Sequence, residues 1–282
     1  MTVQTPNARQ AEDWNDAMGR TWAMLHQRLD RQLAPIGRAA MAKAGFGPGQ
    51  SVLDVGCGCG ETTLEIAAKT APGVVLGVDV SAMLLQIARE AAAAAGADHA
   101  RFIEADAQVE ALPHAFDAIF SRFGVMFFDD PVAAFTNLRT ALKPEGKLAF
   151  CCWRAPAENL WLSLPMQAVG HILPPLPPAD PLAPGPFAFA DPARVDAILT
   201  AAGFADVVIE PLDLRTGGDS LEDSVFMALR MGPLGSALRQ LGAPDALKAE
   251  VEAALTEALT PYVDGGVVKL PAAAWIVSAH HT

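Results

Sequence analysis

Apolar and polar positions follow two rhythms along this chain, and the switches between them mark out its elements. From residue 8 to 45, Trp14, Met18, Trp22, Leu25, Leu29 and Leu33 recur at three- and four-residue steps, which predicts helices with one face to bury. Short apolar runs rich in β-branched residues then fall near 51–55, 74–79, 100–105, 116–121 and 146–153, separated by helical patterns near 60–70, 81–95 and 130–142. Strand and helix in alternation predict an α/β fold with a doubly wound, mostly parallel sheet. Its right-handed crossovers place a ligand at the carboxyl ends of the strands.

Beyond the fifth strand the rhythm loosens. Residues 158–173 read as a helix, and the run Leu-Pro-Pro-Leu-Pro-Pro-Ala-Asp-Pro-Leu-Ala-Pro-Gly-Pro that follows forbids a regular element. Because Phe187 and Phe189 come directly after it, the run is expected to form an ordered loop over a cleft. Asp191 and Pro192 supply an N-cap and a first-turn proline for another helix, which Gly203 closes. A strand begins at Val207, the last strand covers 267–279, and residues 218–262 between them are helical in pattern. The expected layout is an N-terminal helical lid (1–45), an α/β core (46–213 and 263–282) and a helical insertion or lid (214–262).

Composition narrows the function. At 282 residues, 51% hydrophobic and 18% charged, the chain suits a soluble enzyme with one large, embellished α/β domain or with a core plus a small lid. With 20 Lys+Arg against 32 Asp+Glu the net charge is −12, which repels phosphate backbones and argues against nucleic-acid partners. No apolar run reaches the roughly 18–20 residues of a membrane span. The four cysteines, Cys57, Cys59, Cys151 and Cys152, lie in or beside strands with no signal-peptide pattern before them, so reduced thiols in the cytoplasm are expected. Neighbouring cysteines on a strand point to opposite faces, so Cys151 and Cys152 cannot both join one thiolate site; small buried hydrophobes and no metal are expected.

The densest chemistry lies in Val52–Glu61, an apolar strand running into Gly56, Gly58 and Gly60 and then a helix. Alternating glycines allow a ligand to press on the backbone, while Glu61 stands where the dinucleotide fingerprint wants a third, helix-packing glycine. A second strand ends about 20 residues later in Asp79, where a carboxylate can accept from both hydroxyls of a ribose. Turn and acid together indicate a nucleoside ligand. Asp54, inside the first strand, is expected to fix the glycine turn through backbone N–H groups.

The stretches VLDVGCGCGETT, GVDVSAMLLQIAR, FIEADAQ, FDAIFSRFGVMFF and ALKPEGKLAF resemble, in order, the motifs of class I S-adenosylmethionine-dependent methyltransferases, over roughly residues 45–155. Within that family the resemblance is to small-molecule enzymes like those of ubiquinone and menaquinone biosynthesis; to arsenite methyltransferases it extends only to the shared cofactor domain. It implies a seven-stranded Rossmann-like sheet with the last strand antiparallel, S-adenosyl-L-methionine as cofactor, S-adenosyl-L-homocysteine as product and a small-molecule acceptor. Gly56, Gly58, Gly60 and Asp79 would then hold the methionine and ribose. Met83 would lie on the adenine, or else be a core methionine. Asp106, with Ala107, would meet the adenine amino group, or else Asp106 caps a helix. Ser121, Arg122 and Phe123 end the fourth strand, where methyl and acceptor should face each other, although Arg122 also fits a surface ion pair.

Methyl transfer from a sulfonium needs mainly proximity and orientation, since the donor carries its own leaving group. A phenol or amine acceptor would also need a base, and His26, His114 and His171 are the candidates, each equally at home as an ordinary histidine. Trp14, Trp22, Phe123, Phe127, Trp153 and Trp161 form the expected acceptor pocket, apolar enough for a quinone, phenol, polyketide or lipid-like molecule. The function expected is methyl transfer to O, C or N of such a molecule. The alternative is a protein that binds the cofactor, or an enzyme of other chemistry on the same fold.

Overall fold

The computed structural model describes residues 7–174 and 180–281. Two helices open the chain, α1 (Ala8–Asn15) and α2 (Ala17–Ala44), the second closed by Gly45 in the left-handed conformation. There follow β1 (Val52–Val55), α3 (Glu61–Thr70), β2 (Val75–Asp79), α4 (Ala82–Ala95), β3 (Ala100–Glu104), β4 (Phe116–Arg122), α5 (Pro131–Ala141) and β5 (Leu142–Trp153). The rest comprises α6 (Leu160–Val169), α7 (Pro192–Ala201), β6 (Ala205–Gly217), α8 (Leu221–Ala228), α9 (Gly232–Gln240), α10 (Asp245–Leu259), β7 (Val263–Asp264) and β8 (Val267–His280). Side chains cap the helices as their sequences suggest: Ser81 for α4, Asp130 for α5 and Asp191 for α7.

The strands pair in the order β3-β2-β1-β4-β5-β8-β6, and the two-residue β7 pairs with β8. From β3 to β5 every pairing is parallel, while β8 runs antiparallel to both β5 and β6. The seven-stranded, mostly parallel sheet expected from the sequence is therefore present, with β7 as a short addition. Phe120 lies opposite Ala149 in the β4–β5 register, so Phe120 and Phe150 point to opposite faces. Phe120 meets Phe46, just after α2, at 6.0 Å between ring centres, and Phe150 meets Phe135 of α5 at 5.6 Å. Helices α2, α3 and α4 thus cover one face and α5 and α7 the other.

The proline-rich run was expected over a cleft. Residues 175–179 lie outside the described residues, and the part beyond them joins the α5 side of the core instead. Phe189 is fully buried against Phe135 and Phe150, and the Ala190 carbonyl accepts from Trp275 Nε1 at 2.9 Å. A buried aromatic gains more in that core than over an open cleft.

A second core sits beyond the carboxyl ends of the parallel strands. β5 ends at Trp153 opposite Ala274, so the first residues of β8 run past the end of β5 with β6 and the short β7 still paired alongside them. There Val268 and Leu270 pack with Val169 of α6, Val225 of α8, Leu234 of α9 and Val251 and Leu255 of α10. Helix α6, which the sequence pattern assigns to the α/β core, contributes Val169 to this second core beside α8, α9 and α10. Asn159 clamps this unit to β8: its Nδ2 donates to the Ala273 carbonyl at 3.0 Å and its Oδ1 accepts from the Ala273 N–H at 2.9 Å.

Candidate active site

The glycine turn follows β1 at the carboxyl edge, and its three glycines have different reasons to be glycine. Gly56 (φ +67°) would bring a Cβ to 2.8 Å from Gly124 Cα, and Gly60 (φ +85°) to 2.8 Å from Ala88 Cβ, so both serve close packing within the protein. Gly58 (φ +54°) is the open one, its nearest neighbour on that side being Trp22 Nε1 at 3.7 Å. The Gly58 N–H donates to Asp79 Oδ2 at 2.8 Å and the Ser81 N–H to Oδ1 at 2.9 Å. Each carboxylate oxygen keeps a lone pair for a further donor. Burial pushes the Asp79 carboxyl up to about 6, outweighing these two bonds.

Asp54 departs from expectation. Its Oδ2 accepts from the hydroxyls of Thr62 (2.7 Å) and Thr63 (2.6 Å) at the start of α3, not from glycine N–H groups, because the turn has already handed its Gly58 N–H to Asp79. Asp54 Oδ1 is buried without a partner, and burial raises the carboxyl's pKa.

The N-terminal helices close over this edge. Ser81 Oγ donates to the Trp14 carbonyl at 2.9 Å, and Asn15 bridges the Val80 carbonyl and the Ala82 N–H. A Cβ on Gly19 would lie 3.3 Å from the Met83 methyl, so α2 packs directly on Met83. Trp14 meets Trp22 and Phe127 edge-on, at 5.6 and 5.4 Å between ring centres. Asp106 is held by Asn7 Nδ2 (3.0 Å) and the Gln108 N–H (2.9 Å), capping a turn where a helix cap had been the other expectation. Ala107 is buried beside it, its carbonyl accepting from Asn137.

Arg122, at the end of β4, is no surface group. Its guanidinium bridges Asp30 of α2 at 2.6 Å and Glu61 at the start of α3, with only 9% of its side chain exposed. Burial opposes its charge, but the fields and hydrogen bonds of Glu61 and Asp30 prevail and raise its pKa. Gly37 makes room for it, since a Cβ there would come within 2.9 Å of Arg122 Cδ. Ser121 is fully buried, its hydroxyl donating to the Val55 carbonyl at 2.8 Å and accepting from the Gly124 N–H, so it ties β4 to β1 and has no free donor for a cofactor.

A second aromatic group stands beside the first. Phe123 (φ +64°) stacks on Trp153 at 4.0 Å, and Trp153 leans on Trp161 of α6 at 4.9 Å. The six expected pocket aromatics thus form two clusters of three. The histidines do not converge on them. His114 is exposed before β4, at the opposite end of the sheet from the glycines, and His171 is exposed after α6. His26 lies one turn after Trp22 on α2, with Nδ1 2.7 Å from the Ala23 carbonyl. All four cysteines are buried and free, and burial pushes the thiols of Cys59 and Cys151 up to about 12. Among the described residues no three His, Cys, Asp or Glu side chains gather as metal ligands, and no helix is long and apolar enough to cross a membrane.

Asp30, Asn7, Asn15 and Asn159 were not anticipated. Asp30 lies one position off the unbroken Leu25–Leu29–Leu33 stripe of α2, where a polar residue is ordinary, so the apolar rhythm gives no signal for it.

Residues 52–146 match the family described as "Methyltransferase domain". The uncharacterized protein Rv1405c of Mycobacterium tuberculosis is 37% identical over 158 residues, which are 54% of this chain and 56% of that protein, so the chain spans about half the length of that relative. The demethylmenaquinone methyltransferase of Deinococcus radiodurans is 29% identical over 222 residues, 72% of this chain and 92% of that one. Among solved structures, the YcgJ protein of Bacillus subtilis superposes with a TM-score of 0.56 at 17% identity, covering 89% of this chain and 97% of its own. The [4+2]-cyclase SpnF superposes with 0.52 at 21% identity, covering 87% and 80%. These two likenesses concern the fold. Residues 52–146 therefore carry a methyltransferase domain, and the sheet order around them is the one that the resemblance to class I S-adenosylmethionine-dependent methyltransferases implies.

Proposed function

We propose that this protein transfers a methyl group from S-adenosylmethionine to an oxygen, carbon or nitrogen of a small, largely apolar molecule. The observation that carries the reading is the carboxyl-rich glycine turn: Asp30, Asp54, Glu61 and Asp79 surround it against the guanidinium of Arg122. Such a field favours the sulfonium and ammonium of this cofactor and disfavours the pyrophosphate of a dinucleotide. The open face of Gly58, the spare lone pairs of Asp79 and the unpartnered Asp54 Oδ1 suit a ligand with hydroxyl and ammonium donors.

In this reading Asp79 accepts from the ribose hydroxyls, Met83 and Asp106 with Ala107 flank the adenine, and Gly56 and Gly60 shape the turn. Ser121 supports Gly124 behind it. When bound, the cofactor supplies an activated methyl on a neutral leaving group. The protein's part is to orient and to exclude water, which Trp14, Trp22 and Phe127 do over the turn while Phe123, Trp153 and Trp161 face the acceptor. Of the three histidines, His26 alone sits on an element that covers the turn, and it is the one retained as a base. The same fold carries a [4+2]-cyclase, so methyl transfer needs its own demonstration. A net charge of −12 disfavours nucleic acid as acceptor, and four buried free thiols fit the cytoplasm.

Calorimetry with S-adenosylhomocysteine and with NAD tests the cofactor, and transfer of label from methyl-labelled S-adenosylmethionine to a panel of phenols and quinols tests the reaction. Binding of the first ligand only, with labelled product, is expected. Equal or tighter binding of NAD would overturn the reading.

A further inference from the structure

A cavity of about 70 Å³ lies between α2, α6, α8 and α9, walled by Leu29, Gln32, Trp161, Thr216, Met227 and Met231 among others, and among the described residues no charged side chain lines it. It adjoins the site already described. Leu29 precedes Asp30, the partner of Arg122, and Trp161 leads through Trp153 to Phe123 and so to the Gly124–Gly56 contact at the turn.

The polar groups of the wall are mostly spent. The Thr216 hydroxyl donates to the Gln32 carbonyl at 3.0 Å, and the Gln32 amide reaches Asp219 at 3.3 Å. Two are not: the half-buried Ser224 hydroxyl, and the Trp161 indole N–H, which is buried with no acceptor among the described residues. An unmet buried donor costs roughly 1–3 kcal/mol, so it marks a place where a bound group can restore what folding gave up.

We propose that this cavity seats the methyl acceptor, and that the Trp161 indole N–H selects an uncharged molecule bearing a carbonyl or ether oxygen. The inference rests on the methyltransferase reading and adds where the acceptor lies and what it must carry. Phosphobases and amino acids fail on this wall, because nothing in it can compensate a charge. A two-ring ligand exceeds 70 Å³, and Met227 and Met231 are the side chains able to yield, being unbranched and rotatable.

The probes are 1-tetralone, which carries the carbonyl, and tetralin, the same skeleton without it, each titrated into protein loaded with S-adenosylhomocysteine. Trp161→Phe keeps an aromatic ring, smaller than indole, and removes the donor. It should weaken 1-tetralone about 5-fold, one ordinary hydrogen bond, while changing tetralin less than about 2-fold. In the unmutated protein, one indole N–H proton should move downfield with 1-tetralone and stay in place with tetralin, a readout that survives even if the variant fails to fold. Equal weakening of both probes, absence of the N–H shift, or displacement of 1-tetralone by phosphoethanolamine would overturn the inference. Calorimetry of S-adenosylhomocysteine on the same samples separates the two failures: if the cofactor product binds and the probes do not discriminate, only the acceptor assignment falls. If it does not bind, the methyltransferase reading falls as well.

Discussion

Replacing Arg122 by Met tests the idea that one buried cation fastens the N-terminal helices to the sheet. The side chain joins β4 to Asp30 of α2 and to Glu61 of α3. At about 4 Å and an effective dielectric near 20, each pairing is worth about 4 kcal/mol of attraction before desolvation is charged against it. Removing one member of a buried pair typically costs about 3–5 kcal/mol, chiefly because the remaining charge is stranded. Here Asp30 is 15% and Glu61 31% exposed, so water screens part of the loss and the low end, about 3 kcal/mol, is expected. That corresponds to a melting temperature lower by about 6 °C for a domain of this size.

The pH dependence identifies the cause. Burial already raises the Glu61 pKa, with Arg122 opposing it, and the variant removes that opposition. Glu61 in Arg122→Met would then have a folded pKa further above its unfolded value, so its penalty is full at neutral pH and is relieved as pH falls through the folded pKa. The deficit should shrink toward pH 5 in urea melts, and Arg122→Met combined with Glu61→Gln should recover part of it at pH 7. A deficit below about 0.5 kcal/mol, or one constant from pH 5 to 8, would refute the reasoning.

Asp79→Asn should reduce S-adenosylhomocysteine affinity about 30-fold, and calorimetry of the native protein should show affinity climbing with pH through about 6, where the carboxyl ionises, while the variant stays flat. Gly56→Ala should cost about 3 kcal/mol, strain at φ +67° adding to the 2.8 Å approach to Gly124, whereas Gly58→Ala should cost about 1 kcal/mol of stability yet weaken the same ligand about 10-fold; denaturant melts and titrations together check the contrast. Asn159→Ala leaves the Ala273 N–H unpaired, while the Ala273 carbonyl keeps the Arg154 N–H at 3.1 Å, and should cost about 2 kcal/mol and speed proteolysis within 214–262. Deleting residues 1–24 should preserve a cooperative thermal transition while weakening S-adenosylhomocysteine retention and abolishing turnover; loss of the folded state would show that these helices are structural only.

What the sequence discloses is local. The glycines, Asp79 and the strand–helix alternation are legible because each is dictated by neighbours within a few residues: a turn needs positive φ, and a parallel strand buried on both faces needs an unbroken apolar run. The start of β5 was expected at 146 and lies at Leu142, because Pro144 and the left-handed Glu145 conceal an irregular first segment. Arg122 is long-range: it meets Asp30 and Glu61 from 92 and 61 residues away, and no pattern within β4 distinguishes such a partner from water. Phe187 and Phe189 mislead for a similar reason, since an aromatic after a proline run is equally ready for a lid or a core until the space on the α5 side is known.

Helix α2 joins stability and access in a single element. Its later turns carry Ile36 and Ala40, both fully buried, and Met41, nearly so, all in the main core, where the hydrophobic effect holds them. Its first turns and α1 are held differently, by the Asn7–Asp106, Asn15–Ala82 and Ser81–Trp14 hydrogen bonds and the edge-on contact of Trp14 with Phe127. Each such bond is worth about 1 kcal/mol net, so releasing this end costs a few kcal/mol while the domain beneath stays folded. Arg122 lies at the boundary between the two regimes. A cofactor enclosed by α1 and the first turns of α2 could therefore exchange by lifting that end alone, with the Asp30 ion pair setting where the lifting stops.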